Sequence, residues 1–564
     1  MPSAVRRVTE VVCVGAGYVG GPTSSILALQ CPNVNVTVVD KSVPRIDAWN
    51  SDTLPFNEPG LLEAVQVATG RTSAKSGRRA NLFFSTDVDE CIRKADLIYV
   101  AVETPSGKRD ATGHGAAPNL TSFHAVLKHI AKTVVHDFIL VNKSTVPCGS
   151  ADATKHIIRP FLRPGVKCQI LSNPEFLAEG TAVSDLLHPD RIVIGCDDSE
   201  DGLAAAEMLG DLYRNWVSDD KIIVMNSRAS ELTKLAANCL LAQRISSINA
   251  LSAICDKVGA DVTQVSRACG LDKRIGKHML RSTLGFGGSC FEKDVLHLTN
   301  TAAQLGLPNV ASFFESIITI NTFQTSRFTQ NIMNRVPNGV SGRRIIIGVL
   351  GFAFKPETDD TRCSPAIQVI RELVTAGYQI QVFDPLVEES KIRADLLASF
   401  PDGQYAFDEQ VTVCDDVYEA CEGANGVAVL NSWSEMQYVP AQRETGFIKS
   451  FGVGKNMINV EEWSLTCNCT EVSSVPVGER VNWNRIADNM HSPRYVFDGV
   501  NFLDARLNET GLCIDSIGRP VRLPGPVVDG PIVDGPLVDD ISEPEMEISM
   551  TNGRYFEKSG GIFA

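Results

Sequence analysis

The chain has 564 residues, 44% of them hydrophobic and 21% charged, with a formal net charge of −15. That length exceeds one hydrophobic core and calls for two or three domains, and the acidic balance argues against nucleic acid and anionic membranes as partners. No apolar run is long enough to span a bilayer, and 16 cysteines without a compact framework spacing read as reduced thiols in a soluble, cytoplasmic protein.

Taken in chain order, Val8–Val14 reads as a strand, followed by Gly15-Ala16-Gly17-Tyr18-Val19-Gly20 and a helical stretch through Leu29. A second strand, Val34–Val39, ends in Asp40. Strand, G-x-G-x-x-G, helix, strand and acidic residue together form the dinucleotide fingerprint. Gly15 is expected to make the tight turn, Gly17 to let the backbone approach a pyrophosphate, and Gly20 to pack the helix on the sheet, with the helix N-terminus favouring phosphates. Asp40 would bond a ribose 2′-OH and repel a 2′-phosphate, which selects NAD over NADP. Further strands over Leu97–Val102, Phe138–Asn142, Gln169–Ser172, Arg191–Gly195 and Ile222–Met225 alternate with helical stretches, predicting a parallel sheet covered by helices. Ligands of such sheets bind at the carboxyl ends of strands. Three polar turns fall there: Val102-Glu103-Thr104-Pro105, Lys143-Ser144-Thr145-Val146-Pro147, and Asn173-Pro174-Glu175-Phe176-Leu177-Ala178-Glu179-Gly180. One such turn is ordinary; three at equivalent strand ends read as the rim of a site.

From Glu231 to about Lys257 the pattern is one long helix, free of Pro and Gly until Gly259. Lys234 and Asn238 share a face of it, either as a buried functional pair or as a solvated polar stripe. The segment Gly285-Phe286-Gly287-Gly288-Ser289-Cys290-Phe291-Glu292-Lys293-Asp294 follows. Ser289 and Glu292 have capping-box spacing, so Cys290 is expected at the first helical position, where free N–H groups favour a thiolate. Asp294 would share its face, and the glycines would admit close approach of another molecule. The plainer alternative is a buried cysteine beside a glycine turn. Helix continues to about Arg335, and a second strand-turn-helix-strand unit then covers Arg344–Leu350, Pro365–Thr375 and Gln379–Phe383. Its turn, Gly351-Phe352-Ala353-Phe354-Lys355-Pro356, lacks the glycine fingerprint and is not expected to hold a second dinucleotide, while Lys355 and Arg362 suit phosphate. The sheet is expected to run to about Val460. Beyond Arg506 the pattern fades into three pentads, Gly525–Asp529, Gly530–Asp534 and Gly535–Asp539, within an acidic stretch that reads as a mostly disordered tail. The expected fold is α/β: two Rossmann-like doubly wound parallel-sheet domains joined by a long central helix and an all-α middle region. The boundaries are 1–228 for the NAD-binding domain, 229–337 for the helical region, 338–506 for the second Rossmann-like domain and 507–564 for the tail.

In this order, these motifs resemble the UDP-glucose/GDP-mannose dehydrogenase family over roughly residues 8–505; Asn57-Glu58-Pro59-Gly60-Leu61 and Ser144-Thr145-Val146-Pro147 match as well. The resemblance implies a four-electron oxidation of UDP-glucose at C6 to UDP-glucuronate with two NAD⁺, in a homodimer or higher homo-oligomer; GDP-mannose or a UDP-N-acetylhexosamine is the alternative substrate. A non-catalytic nucleotide-binding sensor is the rival of another class, disfavoured by the joint presence of the catalytic set. That set, by the resemblance, is Cys290 as nucleophile, Lys234 for the oxyanion, Asp294 with a water near Thr145 for proton transfer, Glu175 as base and Asn238 as orienting group. Glu175, Phe176, Leu177, Ala178, Glu179, Lys234, Asn238, Arg281, Phe286, Gly287, Phe354 and Lys355 would line the UDP-sugar site, with Arg274 reaching it from a neighbouring subunit. Gly15, Gly17, Tyr18, Val19, Gly20, Asp40, Arg45, Thr104, Thr145, Glu179 and Arg362 would hold NAD. No metal is implied. Four features depart from the family pattern: Val500, where an arginine is expected; Glu103 in place of Asn; the basic insert Arg71–Arg79; and the long tail.

Overall fold

The computed structural model describes residues 7–71, 78–109, 115–338, 344–400, 409–436 and 480–524. The first sheet has eight strands in the order β10-β9-β8-β7-β4-β1-β2-β3. These are β1 (Glu10–Val14), β2 (Asn35–Val39), β3 (Leu82–Ser85), β4 (Leu97–Val100), β7 (Phe138–Asn142), β8 (Cys168–Ser172), β9 (Ile192–Cys196) and β10 (Ile222–Asn226). β5 (Ser106–Arg109) and β6 (Ala116–Pro118) form a separate antiparallel hairpin. Strands such as β4 and β7 are buried at every residue, as a sheet covered on both faces requires. The chain winds outward in both directions from β1 and β4, so the crevice at their carboxyl ends is the topological switch point.

One expectation is corrected here. The sheet is not parallel throughout, since β9 runs antiparallel to β8, and β10 follows β9. The helix on the connecting segment, Ala182–Leu187, has six residues. At about 1.5 Å per residue it is too short to carry the chain back along a strand, which a parallel crossover needs.

The long helix runs Ser227–Val258, with the Asn226 side chain accepting from the Ala229 amide and Gly259 in a left-handed conformation at its end. Helices Phe291–Gln304 and Pro308–Arg335 pack against it and against each other. Lys234 and Asn238 are buried on it beside Leu235, Cys239 and Ala242, so the polar pair is not a solvated stripe.

The second sheet has six parallel strands ordered β13-β12-β11-β14-β15-β16. They are β11 (Ile346–Leu350), β12 (Gln379–Phe383), β13 (Val411–Val413), β14 (Gly426–Val429), β15 (Tyr495–Asp498) and β16 (Cys513–Ser516). β16 corrects the expected start of the tail. It pairs with β15 from Tyr495↔Cys513 to Asp498↔Ser516, and Leu507, Leu512 and Ile514 belong to the core of this half. A four-residue strand between Gly511 and Gly518 is too short for periodicity to mark. The pentads and the expected strand end at Val460 lie outside the described residues. Among the described residues, no helix is long and apolar enough to cross a membrane.

Candidate active site

The dinucleotide loop rises from β1. Gly15 has φ +114°, and a Cβ there would lie 2.3 Å from the Ala101 carbonyl oxygen; at Gly20 it would lie 2.0 Å from the Gly15 oxygen. Above Gly17 there is no protein atom within 4 Å. Two glycines are therefore demanded by packing, while the third leaves open space over a helix N-terminus, the cradle a pyrophosphate needs. Val19 occupies the N-cap of that helix. Asp40, at the end of β2, accepts from the Ala16 amide at 3.0 Å and the Ser42 amide at 2.9 Å, with the Arg45 guanidinium at 3.5 Å. Thr104 donates to the Thr145 carbonyl at 2.6 Å, joining the β4 and β7 rims. Glu103 is exposed, which relieves the conflict of a carboxylate beside phosphates. These residues fit NAD.

Across the crevice lies the thiol. Cys290 is exposed but occupies the N-cap, with no side-chain cap bond from it, and the helix begins at Phe291. The expected capping box is absent: Ser289 Oγ lies 3.7 Å from Cys290 Sγ instead. The expected thiolate is corrected too. Desolvation by surrounding protein pushes the thiol pKa up, Lys234 pulls it down, and Glu179 and Asp294 push it further up. Lys234 is enclosed, with its ammonium 3.6 Å from Glu175 and 5.6 Å from the Phe176 ring centroid. Burial disfavours its charge, yet Glu175, Asp294 and Cys290 outweigh burial and raise its pKa. Asp294 is wholly buried; its oxygens accept from Asn238 Nδ2 at 2.6 Å and Lys293 Nζ at 2.6 Å. Among the described residues no hydrogen bond joins Asp294 to Thr145.

The glycines before Cys290 admit another part of this chain. A Cβ on Gly287 would lie 2.6 Å from the Cys363 carbonyl and 2.8 Å from Phe354 Cβ, and one on Gly288 would lie 2.9 Å from the Phe354 ring. The Gly288 amide donates to the Arg362 carbonyl at 2.9 Å. The turn after β11 thus meets the thiol loop directly, bringing Lys355 and Arg362 to the site. Arg362 reaches Glu179 at 3.1 Å and Asp360 at 2.6 Å. Burial and neighbouring Asp360 push Glu179 up to about 7. Burial lowers the pKa of Lys355, against the pull of Glu179 and Glu58.

The remaining expected sugar-site residues divide. Arg281 keeps a buried Nε without a partner among the described residues and lies 6.0 Å from the Phe502 ring. Leu177 packs on the first core, and Ala178 is exposed with its amide on Asp185. Phe286 packs its ring with Cys239, Val295 and Ile317, so it is mainly a core residue. Arg274 is almost fully exposed and paired with Asp272. Val500 is buried in the second core, and neighbouring Asn501 pins the loop by donating to Ser282 Oγ at 2.7 Å and the Ile517 carbonyl at 2.9 Å. Of the basic insert, Arg78 donates to the Leu29 carbonyl at the end of the fingerprint helix, and residues 72–77 lie outside the described set.

Four positioning groups escaped sequence reading. Lys293 holds Asp294. Glu231, on the long helix, accepts from the Gly149 and Ala151 amides at 2.6 and 2.7 Å and so ties that helix to the loop after β7. Asn321 clamps both backbone groups of Phe286, at 2.8 and 3.0 Å. Glu58 bonds Tyr18 and the Gly180 and Ala182 amides. Glu58, Glu231 and Lys293 had a signal, their place in matched motifs; Asn321 had none, and it and Glu231 meet partners 35 to 82 residues away.

A dinucleotide loop and a lysine-flanked thiol on one crevice define the class of NAD-dependent dehydrogenases. Comparison with known proteins gives the family. Sequence profiles of the UDP-glucose/GDP-mannose dehydrogenase family match residues 9–217 (NAD binding domain), 228–323 (central domain) and 348–451 (UDP binding domain). UDP-glucose 6-dehydrogenase 2 of Arabidopsis thaliana is 42% identical over 522 residues, covering 91% of this chain and 97% of the relative. UDP-glucose 6-dehydrogenase 5 of Oryza sativa subsp. japonica is 43% identical over 523 residues with the same coverage. A solved UDP-glucose dehydrogenase from Pyrobaculum islandicum superposes with a TM-score of 0.65 at 30% identity, over 77% of this chain and 92% of that one. The chain belongs to the UDP-glucose/GDP-mannose dehydrogenase family.

Proposed function

We propose that this protein oxidises the C6 alcohol of UDP-glucose to UDP-glucuronate with two NAD⁺ and one water, releasing two NADH and three protons. The observation that carries the reading is an exposed thiol, Cys290, within electrostatic reach of a buried ammonium, Lys234, and a buried carboxylate, Asp294. Bound NAD supplies the hydride acceptor for both oxidations. Lys234 stays protonated and stabilises negative charge on the C6 oxygen, where a low-dielectric setting makes such a cation most effective. Cys290 Sγ bonds to the aldehyde carbon as the C=O π bond opens and the thiol proton passes to the C6 oxygen, keeping it in the cleft as a thiohemiacetal until oxidation gives the thioester. Glu175, held beside Lys234, takes a proton from the water that cleaves the thioester and frees the thiol. Asp294 carries protons, oriented by Lys293 and Asn238, and Asn238 in turn steers the reacting oxygen. Lys355 and Arg281 bind the diphosphate.

The same reading divides the chain into an NAD-binding part over 1–228, a helical part over 229–337 and a sugar-nucleotide part from 338 to about 524. It makes the protein a homodimer or larger assembly in the cytoplasm. Among the described residues every cysteine is free, as a reducing compartment requires. Leu240, Ile254 and Val258 on the long helix and Phe313 and Phe323 on its neighbour are exposed apolar side chains that a second copy would cover.

The test is stoichiometric. NADH is counted per nucleotide sugar consumed, with UDP-glucose, GDP-mannose and UDP-N-acetylglucosamine compared. Two NADH per UDP-glucose is expected; one would indicate an ordinary alcohol dehydrogenase and sink the thiol chemistry. Cys290→Ser should lower turnover by about 10³-fold or more while calorimetry still detects UDP-glucose binding.

A further inference from the structure

Glu58 is one of the enclosed acids that the mechanism does not use. Glu58 is 5% exposed, and its partners come from two other segments. Oε2 accepts from the Tyr18 hydroxyl and, at 2.9 Å, from the Gly180 amide; Oε1 accepts from the Ala182 amide at 2.6 Å. Tyr18 belongs to the dinucleotide loop. Gly180 and Ala182 end the segment that carries Glu175 and Glu179. One carboxylate oxygen therefore joins the cofactor loop to the sugar loop.

The surroundings make that junction stiff. The Tyr18 ring lies 5.0 Å from Phe56, Phe56 lies 5.5 Å from Trp49, and the Trp49 indole donates to the Ala16 carbonyl at 3.0 Å. Gly180 has φ +81°, and a Cβ there would lie 3.2 Å from the Glu357 carbonyl, so its peptide is confined between the two halves. Glu179, the preceding residue, bonds Arg362. Burial and Glu58 raise the pKa of the Tyr18 hydroxyl, which keeps it a donor. The charge of Glu58 also favours the protonated form of Lys355.

We infer that Glu58 is a positioning residue that couples the two sites: anchored on Tyr18, it sets through the Gly180 and Ala182 amides where Glu179 and Lys355 meet the sugar nucleotide. The inference rests on the function proposed above. It is tested by steady-state kinetics on full-length Tyr18→Phe, Glu58→Gln and the double variant. Tyr18→Phe deletes one oxygen from the cofactor loop, yet it should raise the KM for UDP-glucose about tenfold, the effect of one charge-assisted buried hydrogen bond. Glu58→Gln should raise it at least as much, and the double variant should be no worse than Glu58→Gln, because both changes break one linkage. If Tyr18→Phe alters only the KM for NAD, or if the two effects multiply, the coupling role is overturned. Should Glu58→Gln fail to fold, Tyr18→Phe, which keeps the ring packing, carries the test. Calorimetry on the unaltered protein separates the two claims. No UDP-glucose binding refutes the proposed substrate and the coupling with it; normal binding with an unchanged KM in Tyr18→Phe refutes the coupling alone.

Discussion

Cys290 is a thiol that needs help. At the N-cap it gains no cap bond, and desolvation by surrounding protein with two nearby carboxylates raises its pKa above the ordinary 9.0, so Lys234 is the main group favouring the thiolate. Alkylation by iodoacetamide should therefore accelerate with pH to a midpoint above 9.0. In Lys234→Ala the midpoint should move higher still, and kcat should fall about 10²–10³-fold as the oxyanion loses its cation. Glu179 offers a second titration. A carboxyl whose pKa rises on folding, here from 4.5 to about 7, contributes most to stability below its unfolded value and loses that contribution as pH climbs through 7. Glu179→Gln should accordingly be better tolerated by the ligand-free protein at pH 8 than at pH 4, as read from urea unfolding at the two pH values.

At the scale of elements, two glycine loops that look alike in sequence do opposite things. Gly17 faces open space and lacks a left-handed φ, so Gly17→Ala should leave stability within about 0.5 kcal/mol and raise the KM for NAD about tenfold or more, an effect seen only with cofactor present. Gly287 faces the Cys363 carbonyl and Phe354, so Gly287→Ala should cost about 1–3 kcal/mol by overpacking and lower the melting temperature without any ligand. Sequence spacing marks both as loops, but it does not show which faces solvent and which faces another part of the chain. The long helix was legible from its period and from Gly259, and the β1-loop-helix-β2 unit from its glycines and Asp40. The burial of Lys234, the antiparallel β8–β9 pair and the short β16 were not, because each depends on what packs alongside.

For the molecule as a whole, the exposed Leu240, Ile254 and Val258 are the apolar side chains that the proposed assembly would cover. Leu240→Glu combined with Ile254→Glu should shift the sedimenting mass toward a single chain; an unchanged mass would refute a subunit contact on this helix. The two sheets do not act separately. The turn after β11 seats Phe354 on Gly287 and Gly288, so the thiol loop is shaped by both halves and by the helices between them.

The sequence by itself determined the dinucleotide loop, the long helix and the second nucleotide-like half, because local periodicity and turn chemistry carry that information over short spans; the proposed reactive groups were named through the resemblance to a family. Only the tertiary structure decided the surroundings that raise the pKa of Cys290, the clamping of Asp294 between Asn238 and Lys293, the tie from Glu231 to the loop after β7, and the bridge through Glu58. Each of these depends on desolvation and on hydrogen bonds between segments far apart in the chain, and no local pattern encodes what a buried charge will find beside it.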